Sequence, residues 1–232
     1  MGNLVLDSIV NSVLLLSTLF LFRTKKSMGA VVIIAIQSAG LAAIALLMWH
    51  KTGMVHLLIA ALLTLIVKTL IIPYILYYTV QKTKAQRNVE RTMNKLTSIF
   101  IALVLIVTGE YIASQLSLPG AEHGVHFLGT AIILVFLGTF TIINNKQVLM
   151  QGIGVIVIEN GLFLLTQAIS YGMPLAVELG IFFDLFVAVV IIASLSFRIK
   201  GETKTFSDTQ KLKRFIKTKA ILKKSESSSS GK

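Results

Sequence analysis

Two long apolar runs near the C-terminal end of the chain each carry a carboxylate in the middle. Glu159 lies inside IGVIVIENGLFLLTQ, and Asp184 lies inside LGIFFDLFVAVVIIASL. A charge at the centre of a membrane helix costs about 2.5 to 3.5 kcal/mol on insertion scales, so such residues usually line an ion path or pair with another charge. Glu110 and Lys68 interrupt two further apolar runs. These four residues predict a buried path for protons or cations.

The depth of the charged residues predicts how they work together. Counted from the predicted span ends at about 1.5 Å per residue, Lys68, Glu159 and Asp184 fall near one plane, and Glu110 lies somewhat outside the midpoint. Glu178 lies nearer the outer surface. Charged groups at a common depth on different helices can pass protons sideways through side chains and internal water. We therefore predict a lateral proton relay that contains all five residues.

A structural role is the alternative for each charge. Lys68 could form an ion pair with one carboxylate, because a buried ammonium needs a partner. Glu178 could reach lipid headgroups or water. Pro73 follows Lys68 by five residues and removes a backbone donor. Pro73 therefore predicts either a bend that exposes carbonyl groups near Lys68 or a plain packing kink.

Other polar residues and glycines in the apolar runs predict helix packing. Gln37 lies in the second run, and Gln151 and Asn160 lie in the sixth. Such side chains commonly form hydrogen bonds between membrane helices. The sixth run also contains three glycines, Gly152, Gly154 and Gly161. They permit the close approach of another helix, or a distortion beside Glu159.

The composition of the chain indicates a polytopic membrane protein. Hydrophobic residues make up 55% of the 232 residues and charged residues 14%, with a mean hydropathy of +0.82. One span needs about 20 residues, so about seven spans fit. We predict an all-α fold, with a single membrane domain over residues 1–199. Its helices are expected at 3–22, 28–49, 54–80, 97–117, 124–143, 148–170 and 174–197.

Lysine and arginine are distributed asymmetrically between the predicted connections. The first, third and fifth connections and the C-terminal tail carry nearly all of them, whereas the even-numbered connections carry only Lys51. Short cytoplasmic loops are enriched in basic residues. We therefore predict an N-terminus outside and a C-terminus in the cytoplasm. This topology accounts for most of the net charge of +12, so nucleic acid is not an expected partner.

Residues 200–232 are predicted to form a basic cytoplasmic tail. Leu212, Phe215, Ile216 and Leu222 recur at helical spacing among lysines and arginines. Such a basic amphipathic helix is typical of segments that lie on an anionic membrane surface, and binding to a soluble partner is the alternative. The final SESSSSGK is low in complexity and is predicted to be disordered.

The residue content limits the chemistry that the chain can perform on its own. It contains no cysteine, so it cannot hold an iron–sulfur cluster or a thiolate-bound nickel–iron centre. Its four histidines, His50, His56, His123 and His126, have no tight metal-binding spacing with carboxylates. No phosphate loop, dinucleotide-binding fingerprint or nucleophile elbow occurs. We predict a non-catalytic chain without a metal or cofactor of its own.

The C-terminal apolar runs resemble a known membrane core. NNKQVLMQGIGVIVIENGLFLL, followed by AVELGIFFDLFVAVVIIASLSFRI, is similar to the three-helix K subunit of respiratory complex I and the C subunit of multisubunit sodium/proton antiporters. This similarity covers residues 124–197. The whole chain, with extra spans ahead of that core, resembles the hydrogenase-4 component E family.

The resemblance can be carried over position by position. Asp184, followed by LFVAVVI, matches the glutamate in the last helix of the K-type subunit. If Gly154 and Asn160 take the family's glycine and asparagine positions, the K-type glutamate of the middle helix falls on Ile156. Glu159 then lies about one helical turn further along, and residues three apart share a helix face. The other three predicted relay residues have no match and rest on their depth alone.

The resemblance implies a subunit of a group 4 hydrogenase or formate hydrogenlyase-type complex in the prokaryotic inner membrane. Iron–sulfur clusters and a nickel–iron centre would lie in peripheral subunits on the cytoplasmic side. Antiporter-like membrane subunits would carry most of the ion path, which conducts protons or sodium. Two alternatives remain open: a structural docking subunit whose charges form interhelical ion pairs, and a subunit of a multisubunit cation/proton antiporter. A standalone transporter is disfavoured, because no inverted-repeat signal occurs.

Overall fold

Long apolar helices separated by short turns make up the described chain. The computed structural model describes residues 2–83, 89–116, 125–170 and 185–196, with only the backbone of residues 2–7, 125, 126 and 170. The helices are α1 (Gly2–Arg23), α2 (Ser27–Thr52), α3 (Val55–Leu63), a π-helical segment (Thr64–Ile71), α4 (Ile72–Lys82), α5 (Lys95–Gln115), α6 (Val125–Asn144), α7 (Val148–Ser170) and α8 (Leu185–Ser196). The segment from α3 to α4 is one continuous helix, Val55–Lys82, called the third span.

Five of these helices are long and apolar enough to cross a membrane. They are α2, the third span, α5, residues 127–144 of α6 and residues 148–169 of α7. The parts of α1 and α8 whose side chains are described, Ser8–Arg23 and Leu185–Ser196, are shorter apolar helices. Throughout the described ranges every regular element is helical. The predicted helical fold is therefore confirmed, with five candidate spans in this part of the chain.

Helix α2 lies at the centre of the bundle. It contacts α1, the third span and α7, whereas α5 lies at the edge and contacts mainly α6. Aliphatic side chains from these inner helices, such as Leu41, Leu57, Leu76 and Ile153, form the main core. The position of α2 brings the inner faces of the third span and α7 close to each other.

A glycine turn joins α2 to the third span. Gly53 follows the last residue of α2 and adopts a positive φ of 71°, and its amide donates a hydrogen bond to the Trp49 carbonyl at 2.7 Å. This left-handed conformation favours glycine because glycine has no Cβ. The tight turn returns the chain along α2, so the third span packs against it.

The first, third and fifth connections meet at one end of the bundle. The Arg91 side chain donates hydrogen bonds to the carbonyl oxygens of Leu21 and Thr24, at 2.9 and 2.7 Å, where α1 ends. The amide of Lys146, between α6 and α7, donates to the Glu90 carbonyl at 3.1 Å. Partial burial lowers the pKa of the Arg91 guanidinium, but an arginine remains charged at neutral pH. The connections predicted to share one membrane side therefore lie together.

Glycines bring the backbones of α6 and α7 into direct contact. A Cβ added at Gly138 would lie 2.7 Å from the Ile158 amide nitrogen and 2.9 Å from the Gly154 carbonyl oxygen. A Cβ at Gly161 would lie 2.8 Å from the Ala131 carbonyl oxygen. Small residues allow this approach between membrane helices. Close helix packing is therefore the role of Gly154 and Gly161, as one of the two sequence interpretations proposed.

Candidate functional site

An ion pair between Lys68 and Glu159 joins the third span to α7. The Lys68 ammonium contacts the Glu159 carboxylate directly. Lys68 is 1% exposed, and the Glu159 side chain is 12% exposed. Two opposite charges inside an apolar bundle stabilise each other strongly, because little water screens them. The structure therefore brings together one predicted cation and one predicted carboxylate.

Lys68 lies in the distorted part of the third span. Residues Thr64–Ile71 form a π-helix, in which the Ile72 amide donates to the Val67 carbonyl, five residues earlier. Pro73 follows directly and has no amide hydrogen, so it cannot continue the hydrogen-bond ladder. Short π-helical segments are rare and frequently occur at functional sites. A helical distortion is present near Pro73, and it precedes the proline and contains Lys68 itself.

An aromatic ring lies beside the ion pair. The Lys68 Nζ atom lies 5.0 Å from the centre of the Phe163 ring, one helical turn after Glu159 on α7. The face of an aromatic ring attracts a cation, and the attraction increases when water is excluded. Lys68 therefore has both a charged and an aromatic partner on α7.

A hydrogen-bonded chain extends from the next residue of α7 across α2 to α1. The Asn160 amide donates to the Gln37 side-chain oxygen at 2.9 Å. The Gln37 amide donates to the Thr18 hydroxyl at 2.7 Å, and that hydroxyl donates to the Leu14 carbonyl at 2.9 Å. All three side chains are fully buried. Because Glu159 and Asn160 are adjacent, polar groups cross four helices at one depth.

Two more buried polar side chains lie on the same helices. Thr64 is in the π-helical segment, four residues before Lys68, and Gln167 is on α7, seven residues after Asn160. Within the described ranges, the Thr64 hydroxyl and the Gln167 amide have no hydrogen-bond partner. Buried polar atoms in proteins are normally hydrogen-bonded to protein or water. These side chains therefore extend the polar character of the site along both helices.

The structure places Glu110 away from the Lys68–Glu159 pair. Its carboxylate lies over Gly129 of α6, where an added Cβ would overlap it, and the side chain is exposed at the edge of the bundle. The other two predicted relay residues, Asp184 and Glu178, lie outside the described residues. The predicted tail over residues 200–232 also lies outside them. In the part of the chain that the structure covers, no group of three His, Asp or Glu residues could hold a metal.

Lys68 and Glu159 stood out individually in the sequence, but neither their pairing nor the full polar arrangement was predicted. Gln37 and Asn160 were predicted to connect helices, whereas their connection to each other and to Thr18 was not predicted. Hydroxyl side chains are common in membrane helices, and they usually donate a hydrogen bond to a carbonyl of their own helix, so Thr18 gave no sign of a contact with another helix. The position of Gln37 near the middle of α2 was the one available signal.

Replacement of Gln37 by leucine is expected to destabilise the bundle by about 1–3 kcal/mol, the cost of leaving a buried polar group unsatisfied. Gln37 accepts from Asn160 and donates to Thr18, so its loss leaves both partners without this bond. Thermal unfolding in detergent measures the effect. Gln151→Leu is the matched control, because Gln151 is only partly buried and its amide bonds the Asn145 carbonyl near the bundle end. Equal effects of the two substitutions would contradict a central role for Gln37.

Sequence comparison finds relatives along most of the chain. An uncharacterized protein of Mycobacterium tuberculosis is 27% identical over 202 residues, which cover 85% of this chain and 90% of that protein. Hydrogenase-4 component E of Escherichia coli K12 is 23% identical over 198 residues, which cover 85% of this chain and 91% of that protein. Hydrogenase-4 component E of Shigella flexneri matches to the same extent.

No protein-family profile matches the chain, and no solved structure matches it. The matches to component E cover 85% of this chain, so they extend well beyond the C-terminal core. The resemblance inferred from the apolar runs is thereby confirmed: this chain is a homologue of hydrogenase-4 component E over most of its length.

Proposed function

We propose that the chain is an integral membrane subunit of a hydrogenase-4-type complex. The proposal is supported by its homology to component E and by its five long apolar helices. Hydrogen chemistry and electron transfer would occur in other subunits, which would hold the iron–sulfur clusters and the nickel–iron centre. The chain would contribute no catalytic residue of its own. Its neighbours would be antiporter-like membrane subunits and a peripheral redox arm, as in formate hydrogenlyase-type assemblies.

The proposed topology has seven spans in the inner membrane, with the N-terminus outside and the C-terminus in the cytoplasm. Its support is the arrangement of the first, third and fifth connections, which are basic and meet at one end of the bundle. Basic loops are retained on the cytoplasmic side. The peripheral redox subunits would therefore dock at the end where Arg91 lies.

The Lys68–Glu159 pair is the observation that carries the proposed mechanism. A proton that reaches Glu159 from a neighbouring site would neutralise the carboxylate and free the ammonium of Lys68 from its partner. The ammonium could then release a proton onward along the membrane plane, on the side away from the donor. Transfer of the Glu159 proton to the neutral Lys68 amine would then restore the ion pair. Asp184 and Glu178 would continue the path on the last span, and Glu110 would contribute at the edge. Redox energy from the peripheral arm would drive this cycle.

Replacement of Glu159 by glutamine and of Asp184 by asparagine is expected to abolish proton uptake by vesicles that contain the assembled complex, while hydrogenase activity with a soluble electron acceptor persists. Each change keeps the side-chain shape but removes the group that binds the proton. Glu90→Gln is the control, because Glu90 lies in a connection outside the helices. Unchanged uptake by an intact complex would refute the relay. Parallel measurement of sodium uptake identifies the transported ion.

A structural docking role is the second candidate, and the ion pair itself favours it. An interhelical pair between the third span and α7 could hold the bundle in the shape that a partner recognises. Substitutions at Lys68 or Glu159 would then reduce assembly before transport. Purification of this chain with antiporter subunits alone, without a hydrogenase large subunit, would instead support a cation/proton antiporter.

A further inference from the structure

Helix α5 presents an apolar stripe that contains one carboxylate. Leu96, Phe100, Leu103 and Val107 follow each other at spacings of four, three and four residues, and all four side chains are exposed. Glu110 follows Val107 by three residues and is exposed as well. Alternating spacings of three and four residues place side chains on one seam, the pattern of a helix that packs along another helix. The seam of α5 therefore has the form of a helix-packing surface.

Helix α5 is also the least covered of the candidate spans. In the described part of the chain, 17% of the most apolar stretch of α5 is buried, against 33% to 67% of the corresponding stretch in the other four candidate spans. Its inner face is formed by the small residues Ser98, Ala102 and Gly109, and Gly109 packs against Ile133 of α6. Little of α5 is therefore used inside this chain, and most of its surface is available to a neighbour.

Lipid alone does not suit the position of Glu110. The residue lies five positions before the end of α5, roughly 7 Å along the axis, and inside an apolar run that is long enough to cross a membrane. The carboxylate lies over Gly129 of α6, which has no side chain in that position. Among the described residues no hydrogen bond or ion pair to Glu110 occurs. An ionisable residue within a span usually pairs with another group or faces water.

A second copy of the chain would supply no lysine or arginine at this depth. Within the apolar runs, Lys68 is the one basic residue away from a helix end, and it contacts Glu159 inside the bundle. Lys51 lies next to the last residue of α2. A different membrane protein is therefore the better source of positive charge.

We propose that the α5 seam and Glu110 form the docking surface for a transmembrane helix of another subunit, and that this helix carries a lysine or arginine opposite Glu110. The seam would provide apolar packing, and the charge pair would fix the register of the two helices. Gly129 would leave room for the carboxylate at the α5–α6 edge. This inference rests on the proposed function, because it requires a membrane complex.

Photocross-linking in native membranes tests the surface. A benzophenone amino acid at Val107 of the full chain is expected to cross-link to a membrane subunit of the complex. Mass spectrometry should locate the attached peptide in a transmembrane helix with a lysine or arginine within about two turns. The same probe at Val32, which is exposed on α2, serves as the comparison for an exposed position outside the α5 seam. Attachment only to lipid, to a second copy or to a helix without a basic residue would overturn the proposal.

Charge substitutions test the role of Glu110 in that contact. Glu110→Gln should lower the cross-linked yield at Val107 about tenfold or more, because one partner of a desolvated charge pair is lost. Glu110→Lys should abolish the cross-link, and reversal of the partner's basic residue to glutamate should restore it. Thr108→Val, a change at an exposed neighbour of Gly109, should leave the yield unchanged. An equal yield for all variants would also overturn the proposal.

The two proposals fail separately in this experiment. If the chain purifies with hydrogenase subunits but Val107 does not reach any of them, the docking surface is wrong and the proposed function stands. If the chain does not purify with such subunits, both are wrong.

Discussion

Substitution of Lys68 by methionine is expected to destabilise the protein by about 3–5 kcal/mol, the usual effect of leaving one member of a buried ion pair without its partner. Glu159 would remain on α7 facing an apolar side chain, and its carboxylate is only 12% exposed. The Phe163 ring would also lose its cation. Thermal unfolding in detergent and the yield of assembled complex measure this loss.

The double variant Lys68→Met with Glu159→Leu is expected to recover most of that stability. Apolar residues of similar volume often replace a buried ion pair without loss, because neither charge must then be removed from water. Lys95→Met is the control for the removal of a lysine, since Lys95 is exposed at the start of α5. A double variant as unstable as Lys68→Met would show that the pair does not account for the effect.

The same double variant separates the two proposed roles. If the pair carries protons, the recovered complex should assemble and show no proton uptake, because neither residue can bind a proton. If the pair only holds helices together, assembly and uptake should recover together. Stability recovers in both cases, whereas proton uptake recovers only if the pair is structural. Single substitutions cannot make this distinction, because they lower stability and transport together.

Much of the bundle could be predicted from where the apolar runs lie. A membrane span requires about 20 apolar residues, so composition alone indicates helices and their approximate ends. The third span was expected over 54–80 and is observed over Val55–Lys82. The distribution of lysine and arginine also indicated which connections share one side. Their contacts through Arg91 and Lys146 agree with that arrangement.

The partner of Lys68 could not be identified from the sequence. Several carboxylates lay at similar predicted depths, and depth along a helix does not determine which helices are neighbours. Contact between the third span and α7 depends on how both pack around α2. The π-helical segment is a second reason, because its wider turn changes the direction in which Lys68 points. Propensity and periodicity do not predict such a segment.

The link between Asn160, Gln37 and Thr18 depends on tertiary packing for the same reason. Gln37 and Asn160 are 123 positions apart, and a polar residue in each helix permits many pairings. Glu110 is a different case. Its position in an apolar run suggested that it belongs to the relay, but the run did not indicate that its side chain is exposed at the bundle edge. Exposure of a helix face depends on which neighbours cover it.

Addition of a methyl group at the α6–α7 contact is expected to have the second large effect. Gly138→Ala should destabilise the protein by about 1–3 kcal/mol, the usual cost of overpacking. The new Cβ would lie 2.7 Å from the Ile158 amide nitrogen and 2.9 Å from the Gly154 carbonyl oxygen. Both atoms belong to the backbone of α7, so rotation of a side chain cannot relieve the overlap. The helices must separate, and thermal unfolding in detergent measures the cost.

Gly40→Ala is the matched control, because its added Cβ would meet side chains and no backbone: Leu14 Cδ2 at 3.1 Å, Leu14 Cγ at 3.7 Å and Val10 Cγ1 at 3.9 Å. Helix α7 also carries Glu159, one residue after Ile158. Separation of α6 and α7 should therefore move Glu159 relative to Lys68 and lower proton uptake in the complex that still assembles. A Gly138→Ala protein as stable as Gly40→Ala would show that α7 can shift without cost. Normal proton uptake in a destabilised Gly138→Ala complex would show instead that the ion pair tolerates this shift. The packing of α6 against α7 would then affect stability but not transport.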